Sequence, residues 1–192
     1  PHVAGAAAVL IQHRPGLTAK QYKSILMTSS DPAGVFSDSG LATADYYSRG
    51  AGALDVEAAL NTAVTVDKPS VSGRCFGSCD IVIEGTNLGF APLNLQASLT
   101  SANDDITYSL DAAELAVGAV QTFTLTMTID VSQTASDRFV GNLKLSDSSG
   151  VIPDLNIPIN VILAALQDSN IFNLNGSVVP DTNSTMSLDI NS

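Results

Sequence analysis

The sequence predicts a mixed fold, a helical first third followed by an all-β antiparallel sandwich, and three observations predict it. Apolar residues recur with a helical period up to about Leu60 and with period 2 after Pro69. The charge balance shifts near Val66: residues 1–65 carry 4 basic and 5 acidic side chains, whereas residues 66–192 carry 4 and 14. Finally, 192 residues with 45% hydrophobic content suffice for one large or two small domains with a real core, which excludes a wholly disordered chain. The divisions drawn are 1–65, 66–165 and 166–192.

Taken in order, Val3 to Ile11 is apolar at nearly every position, with Ala6, Ala7 and Ala8 in its middle and no charge. Such a stretch predicts a helix apolar all round, which belongs inside a larger protein and has its partners upstream. It should end near His13, because Pro15 disfavours helical backbone at Arg14 and Gly16 follows. Thr18 and Gln21 then form a T-x-x-Q capping box. In the helix they start, Tyr22, Ile25 and Leu26 share one face while Lys20, Lys23 and Ser24 lie away from it. Ser29 to Gly50 is rich in Ser, Asp, Gly and Ala without periodicity and reads as loop. Gly50, Gly52 and the cap Asp55 lead into a short helix with Val56, Ala59 and Leu60. The stretch TVDKPS, Thr65 to Ser70, reads as a hinge.

Beyond it, Phe123, Leu125, Met127, Ile129 and Val131 alternate with Thr122, Thr124, Thr126, Thr128 and Asp130, one row for a core and one for water. Ile157, Ile159, Val161 and Leu163 repeat the pattern, as do Ile81 and Ile83, Leu95, Ala97 and Leu99, and Leu143 and Leu145. Strands of this kind, separated by Gly, Asn, Asp and Ser clusters, argue for an antiparallel sandwich of about 100 residues. Pro158 cannot donate to a ladder, so its strand should be at an edge or carry a bulge. Leu166 to Ser192 holds three Asp and no Lys or Arg and reads as a linker or the first strand of a further module.

A net charge of -11 repels phosphate backbones and anionic lipid, so nucleic acid is excluded as a partner. No apolar run approaches the ~20 residues that span a bilayer, which predicts a soluble chain. The first residue is Pro, with no signal-like segment before it, so the chain reads as a fragment.

PHVAG followed by AAAVL, then PGLTAKQYKSIL and GAGALDVEAAL, resembles the end of the catalytic domain of subtilisin-like serine peptidases. In that family the nucleophilic Ser lies in a G-T-S-M-x-x-P-H-V-A-G pattern at the start of a buried helix. Pro1, His2, Val3, Ala4 and Gly5 match its second half, which puts the Ser four positions before Pro1. The looser matches are Pro15, Leu17 and Thr18 at the next turn, and Gly52, Leu54, Asp55 and Ala59 at the last helix. On this resemblance residues 1–65 are the helical remnant of an α/β catalytic domain. Its Asp, His and oxyanion-hole Asn lie upstream, so no catalytic residue is assigned here and the chain alone should be inactive. A nucleophile at the head of such a helix has backbone N–H groups and the positive dipole end aimed at the developing oxyanion. His2 reads as structural: the family's H-G-T-H-V-A-G motif has no Pro before its His-Val-Ala-Gly and no P-x-L-T turn after it.

The sandwich is similar to the fibronectin type III-like domain that follows the catalytic domain in large secreted subtilases, on Gly141, Leu143, Leu145, Ile157, Pro158 and Val161; a generic immunoglobulin-like spacer fits nearly as well. The resemblance implies a secreted parent that cleaves peptide bonds with no organic cofactor. The partners it implies are the upstream part of the same catalytic domain and a protein or peptide substrate. The competing class is a non-catalytic binding or spacer module.

In the extracellular setting implied, Cys75 and Cys79 of RCFGSCD are expected to form a disulfide rather than two free thiols, and zinc would lack ligands. Asn103, Asp104, Asp105 and Asp147 could offer oxygens to calcium but fit no EF-hand, and turn formation is the preferred reading. His13 suits a helix C-terminus. Ser24, Ser29 and Ser30 read as helix-end polar residues, and Tyr46 and Tyr47, beside Ser48, as surface-loop residues open to a substrate contact.

Overall fold

A computed structural model of the chain describes residues 1–40, 42–130 and 136–164. Val131 and the stretch read as a linker or further module, 166–192, lie outside the described residues.

The first part is helical. α1 (His2–His13) ends as expected, with the Arg14 N–H bonded to the Leu10 carbonyl. α2 (Ala19–Thr28) begins at the full capping box: Thr18 Oγ1 accepts the Gln21 N–H and the Gln21 side chain accepts the Thr18 N–H. α4 (Val56–Asn61) is capped by Asp55, whose carboxylate accepts the Ala58 N–H at 2.8 Å. One element contradicts the loop reading of Ser29 to Gly50. A four-residue helix, α3 (Tyr46–Arg49), forms because Asp45 accepts two of its first N–H groups, from Tyr47 and Ser48.

Among the described residues nine strands follow: β1 (Val64–Val66), β2 (Val71–Phe76), β3 (Ser78–Asn87), β4 (Leu93–Ser101), β5 (Thr107–Leu110), β6 (Glu114–Val117), β7 (Thr122–Asp130), β8 (Arg138–Asp147) and β9 (Leu155–Ala164). They form two sheets, β1-β3-β7-β5 and β2-β9-β8-β4-β6, packed as a sandwich. The apolar rows face the space between them. Leu125, Met127 and Ile129 of β7, Leu143 and Leu145 of β8, and Ile157 of β9 are all fully buried, each worth roughly 1.5–3 kcal/mol of transfer free energy. At Gly141 a side chain is impossible without movement, since a Cβ there would sit 2.3 Å from the Thr100 carbonyl oxygen.

Three readings are corrected. The sandwich is not purely antiparallel: β2 pairs with β9 in parallel, Val71 opposite Ile159 through Phe76 opposite Ala164. The chain then turns at Gly77, in the left-handed region at φ 72, and enters the other sheet as β3. Pro158 is not on an edge strand, because β9 lies between β2 and β8. It precedes by one residue the stretch that β2 pairs, so its missing N–H falls where that side of β9 has no neighbour. The predicted hinge is strand at its start: Thr65 and Val66 are buried in β1, opposite Thr86 and Gly85.

The helices form a second, smaller core of Leu10, Ile25 and Ala59, joined by Tyr22, Leu26 and Leu88 from the loop after β3. Ser24 also departs from the expectation. It is fully buried, not turned away, and its Oγ accepts the Val66 backbone N–H at 2.8 Å. Helices and sandwich are thus one packed unit along α2, β1 and β9.

Candidate functional site

Only Ala6 and Leu10 of α1 are buried; Val3 is 63% exposed, Val9 46% and Ile11 49%. Pro1, His2, Ala4 and Gly5 are exposed as well. The helix buries one narrow stripe against α2 and α4 and leaves its other apolar faces open. At its far end Arg14 does three things. Its carbonyl accepts the Tyr22 hydroxyl at 2.7 Å, and its guanidinium donates to the carbonyls of Thr62 and, at 3.1 Å, Leu60. It therefore satisfies the last carbonyls of α4 from a distant part of the chain. Burial lowers the Arg14 pKa, and the group stays charged. Sequence reasoning missed this role; the available signal was a cation next to a predicted helix stop.

His2 and His13 sit at the two ends of α1, both exposed. Among the described residues no hydrogen bond joins either to a serine or a carboxylate, so no nucleophile–base pair forms there. Ser29 and Ser30 bond back to the Ile25 and Leu26 carbonyls, as helix-end residues do. Tyr46 stacks under Arg49, 4.0 Å from its guanidinium carbon, and Tyr47, 59% exposed, lies 5.6 Å from that of Arg138 on β8. The two tyrosines are thus brought together with cations.

Cys75 and Cys79 are joined by a disulfide, Cα–Cα 5.7 Å, at the corner where the chain passes from β2 to β3. It ties the edge of one sheet to the other.

The polar residues weighed as calcium ligands are spread over two turns. Asp105 accepts both the N–H and the hydroxyl of Ser136, and Asn103 Oδ1 accepts the Val140 N–H. Asp147 is buried between β8 and the following turn, accepting the Ser149 hydroxyl at 2.5 Å and the Val151 N–H at 2.9 Å. Burial opposes its charge, but the bonds from Ser149 and Val151 outweigh this and lower its pKa. Among the described residues no three His, Cys, Asp or Glu side chains cluster as a metal site would require.

A groove of about 510 Å³ runs between the start of α2 and the first sheet, with Lys20, Gln21, Glu84, Thr86 and Thr124 on its walls. It can hydrogen-bond a ligand, and it lacks a nucleophile paired with a base. No helix among the described residues is long and apolar enough to cross a membrane.

No family model matches the chain, and no curated protein matches it. Among solved structures it is similar to a FixG-related protein from Vibrio parahaemolyticus, at 11% identity and TM-score 0.38, over 45% of this chain and 78% of that one. It is also similar to PapD-like domain 7 of human CEP192, at 8% identity and TM-score 0.42, over 55% and 87%. A third likeness is to the secreted serine protease VesC from Vibrio cholerae, at 12% identity and TM-score 0.38, over 47% and 21%. At these scores none carries an argument about activity.

Proposed function

We propose that the chain is the C-terminal portion of a secreted subtilisin-like serine endopeptidase: the last helices of the catalytic domain, followed by a non-catalytic β-sandwich packed against them. The observation that carries this reading is α1. A helix starting at the PHVAG motif, apolar on all faces yet buried only at Ala6 and Leu10, suits a position behind an active-site serine, with the rest of the catalytic domain covering its open faces. The disulfide at Cys75–Cys79 supports an oxidising, extracellular setting. In this reading the groups here act by support. α1 holds the nucleophile's backbone in place, Arg14 locks α1 to α4, and Ser24 locks α2 to β1. The substrate is a protein or peptide bound mostly by residues outside this chain.

The test is to express the gene from its own start codon and treat the product with a fluorophosphonate probe. The expected result is a single labelled Ser four positions before Pro1, in a peptide running into PHVAG. A product without Ser there, or one left unlabelled while correctly folded, overturns the proposal and leaves the competing reading, a sandwich that binds or spaces without chemistry.

A further inference from the structure

Among the described residues β2 is the outermost strand of its sheet, and the side of it away from β9 faces a slot of about 590 Å³ between the two sheets. The neighbouring edge, that of β3, is already occupied. Lys68 Nζ donates to the Val82 carbonyl at 2.6 Å, and Asp67 exchanges two bonds of 2.8 Å with Glu84. A lysine placed on an edge in this way discourages further pairing. β2 has no such cover: Ser72, Gly73 and Arg74 are exposed, and among the described residues no backbone hydrogen bond reaches β2 from its open side. The inward row of β2 also lacks its middle member. Val71 and Cys75 are buried, and between them a Cβ at Gly73 would meet nothing within 4 Å. Beside this vacancy the wall of the slot is apolar, with Val71, Ile81 and Val161. On the outward row Arg74 is exposed and, among the described residues, pairs with no carboxylate. Arg138 stands in line with it, both being opposite Ile162, so this border of the sheet is positive although the chain carries a net charge of -11.

We propose that this edge binds an extended segment of another polypeptide, with an acidic residue next to an apolar one, as an added antiparallel strand on β2. A peptide backbone is the partner that offers donors and acceptors at the spacing of an open strand. Its apolar side chain fills the place over Gly73. The acidic neighbour points to the opposite face of the sheet, where it meets Arg74 in a charge-assisted bond. A second copy of this chain fits the edge worse on two counts. It would bring a further net charge of -11 to the same place, and β2 paired on β2 about Gly73 sets glycine against glycine and leaves the vacancy empty. This inference is independent of the protease reading.

The probe is a fluorescein-labelled peptide, TVDVTVT, with its C-terminus amidated. It is titrated into the full 192-residue chain and followed by anisotropy, with hydrogen exchange read at Ser72–Arg74. In antiparallel register its central Val lies opposite Gly73 and its Asp opposite Arg74. Saturable binding is expected, with slower exchange at Ser72–Arg74. Gly73→Val, which puts a side chain into the vacancy, should abolish binding. Arg74→Glu should weaken it about tenfold or more, the loss expected for a hydrogen bond to a charged group, and the peptide TVKVTVT should recover affinity for that variant. If Gly73→Val does not fold, this exchange of charges decides alone. Absence of binding to the unaltered chain, or binding that neither substitution changes, overturns the proposal. So does an unaltered chain that sediments as a dimer which Gly73→Val dissolves, since a second copy would then hold the edge.

Discussion

The hydroxyl of Ser24, in the middle of α2, accepts the backbone N–H of Val66 in β1 at 2.8 Å, with Ser24 wholly buried and Val66 nearly so. This bond joins the two parts of the chain. Ser24→Ala leaves a buried N–H without a partner, which costs about 1–3 kcal/mol. Urea unfolding of the full chain should show a loss of that size. An unchanged midpoint would mean that the two parts are held together elsewhere.

The Cys75–Cys79 disulfide closes a very short loop. The chain-entropy relation gives about 2 kcal/mol for such a closure. A Cys75→Ala/Cys79→Ala variant should therefore remain folded but melt several degrees lower, and reducing agent should lower the melting point of the parent and leave the variant's unmoved. A parent indifferent to reductant would contradict this account.

Gly5 lies inside α1, and a Cβ there would touch nothing within 4 Å. Gly5→Ala should stabilise this chain by about 0.5–1 kcal/mol through helix propensity alone. In a longer protein whose upstream residues cover α1, the same methyl would meet them, and protease activity should fall. Equal benefit in both contexts counts against the protease proposal.

Asp147 has its pKa lowered by the bonds from Ser149 and Val151 despite its burial, and Asp111 by the Thr126 N–H. A carboxylate whose folded pKa is depressed contributes stability above its unfolded pKa, near 3.9. That contribution is lost as pH falls through the lower folded value. Stability should therefore be flat from neutral pH down to about 5 and drop below 4, with a shallower drop in Asp147→Asn. A parallel pH profile for the variant would sink the assignment to Asp147.

What was legible in the sequence was local. The core row of β7 from Phe123 to Ile129 and that of β9 from Ile157 to Leu163 follow from alternation within one strand. The Thr18 box and the Asp55 cap follow from residues three apart. What was missed depends on partners far along the chain. Ser24 lies on a position that helical spacing assigns to water, and only β1, 42 residues later, makes it a core residue. Pro158 reads as an edge signal until the short reach of β2 is known. α3 escaped because a four-residue helix has no period to detect and rests on Asp45 alone. Around the candidate site, the helix over the opening stretch and its stop near His13 were legible, whereas the Arg14 clamp on α4 was not, because nothing in the neighbourhood of Arg14 encodes Thr62.

The parallel register of β2 on β9 also sets a timetable for synthesis. The first strand to pair in the second sheet by position is the last to find its partner, because Val71 must wait for Ile159. Until then Val71 and Cys75 have nothing to pack on from that side, and closure has to span almost the entire sandwich. Folding should therefore be slow for a domain of this size, with the sandwich closing only after Ala164 has left the ribosome.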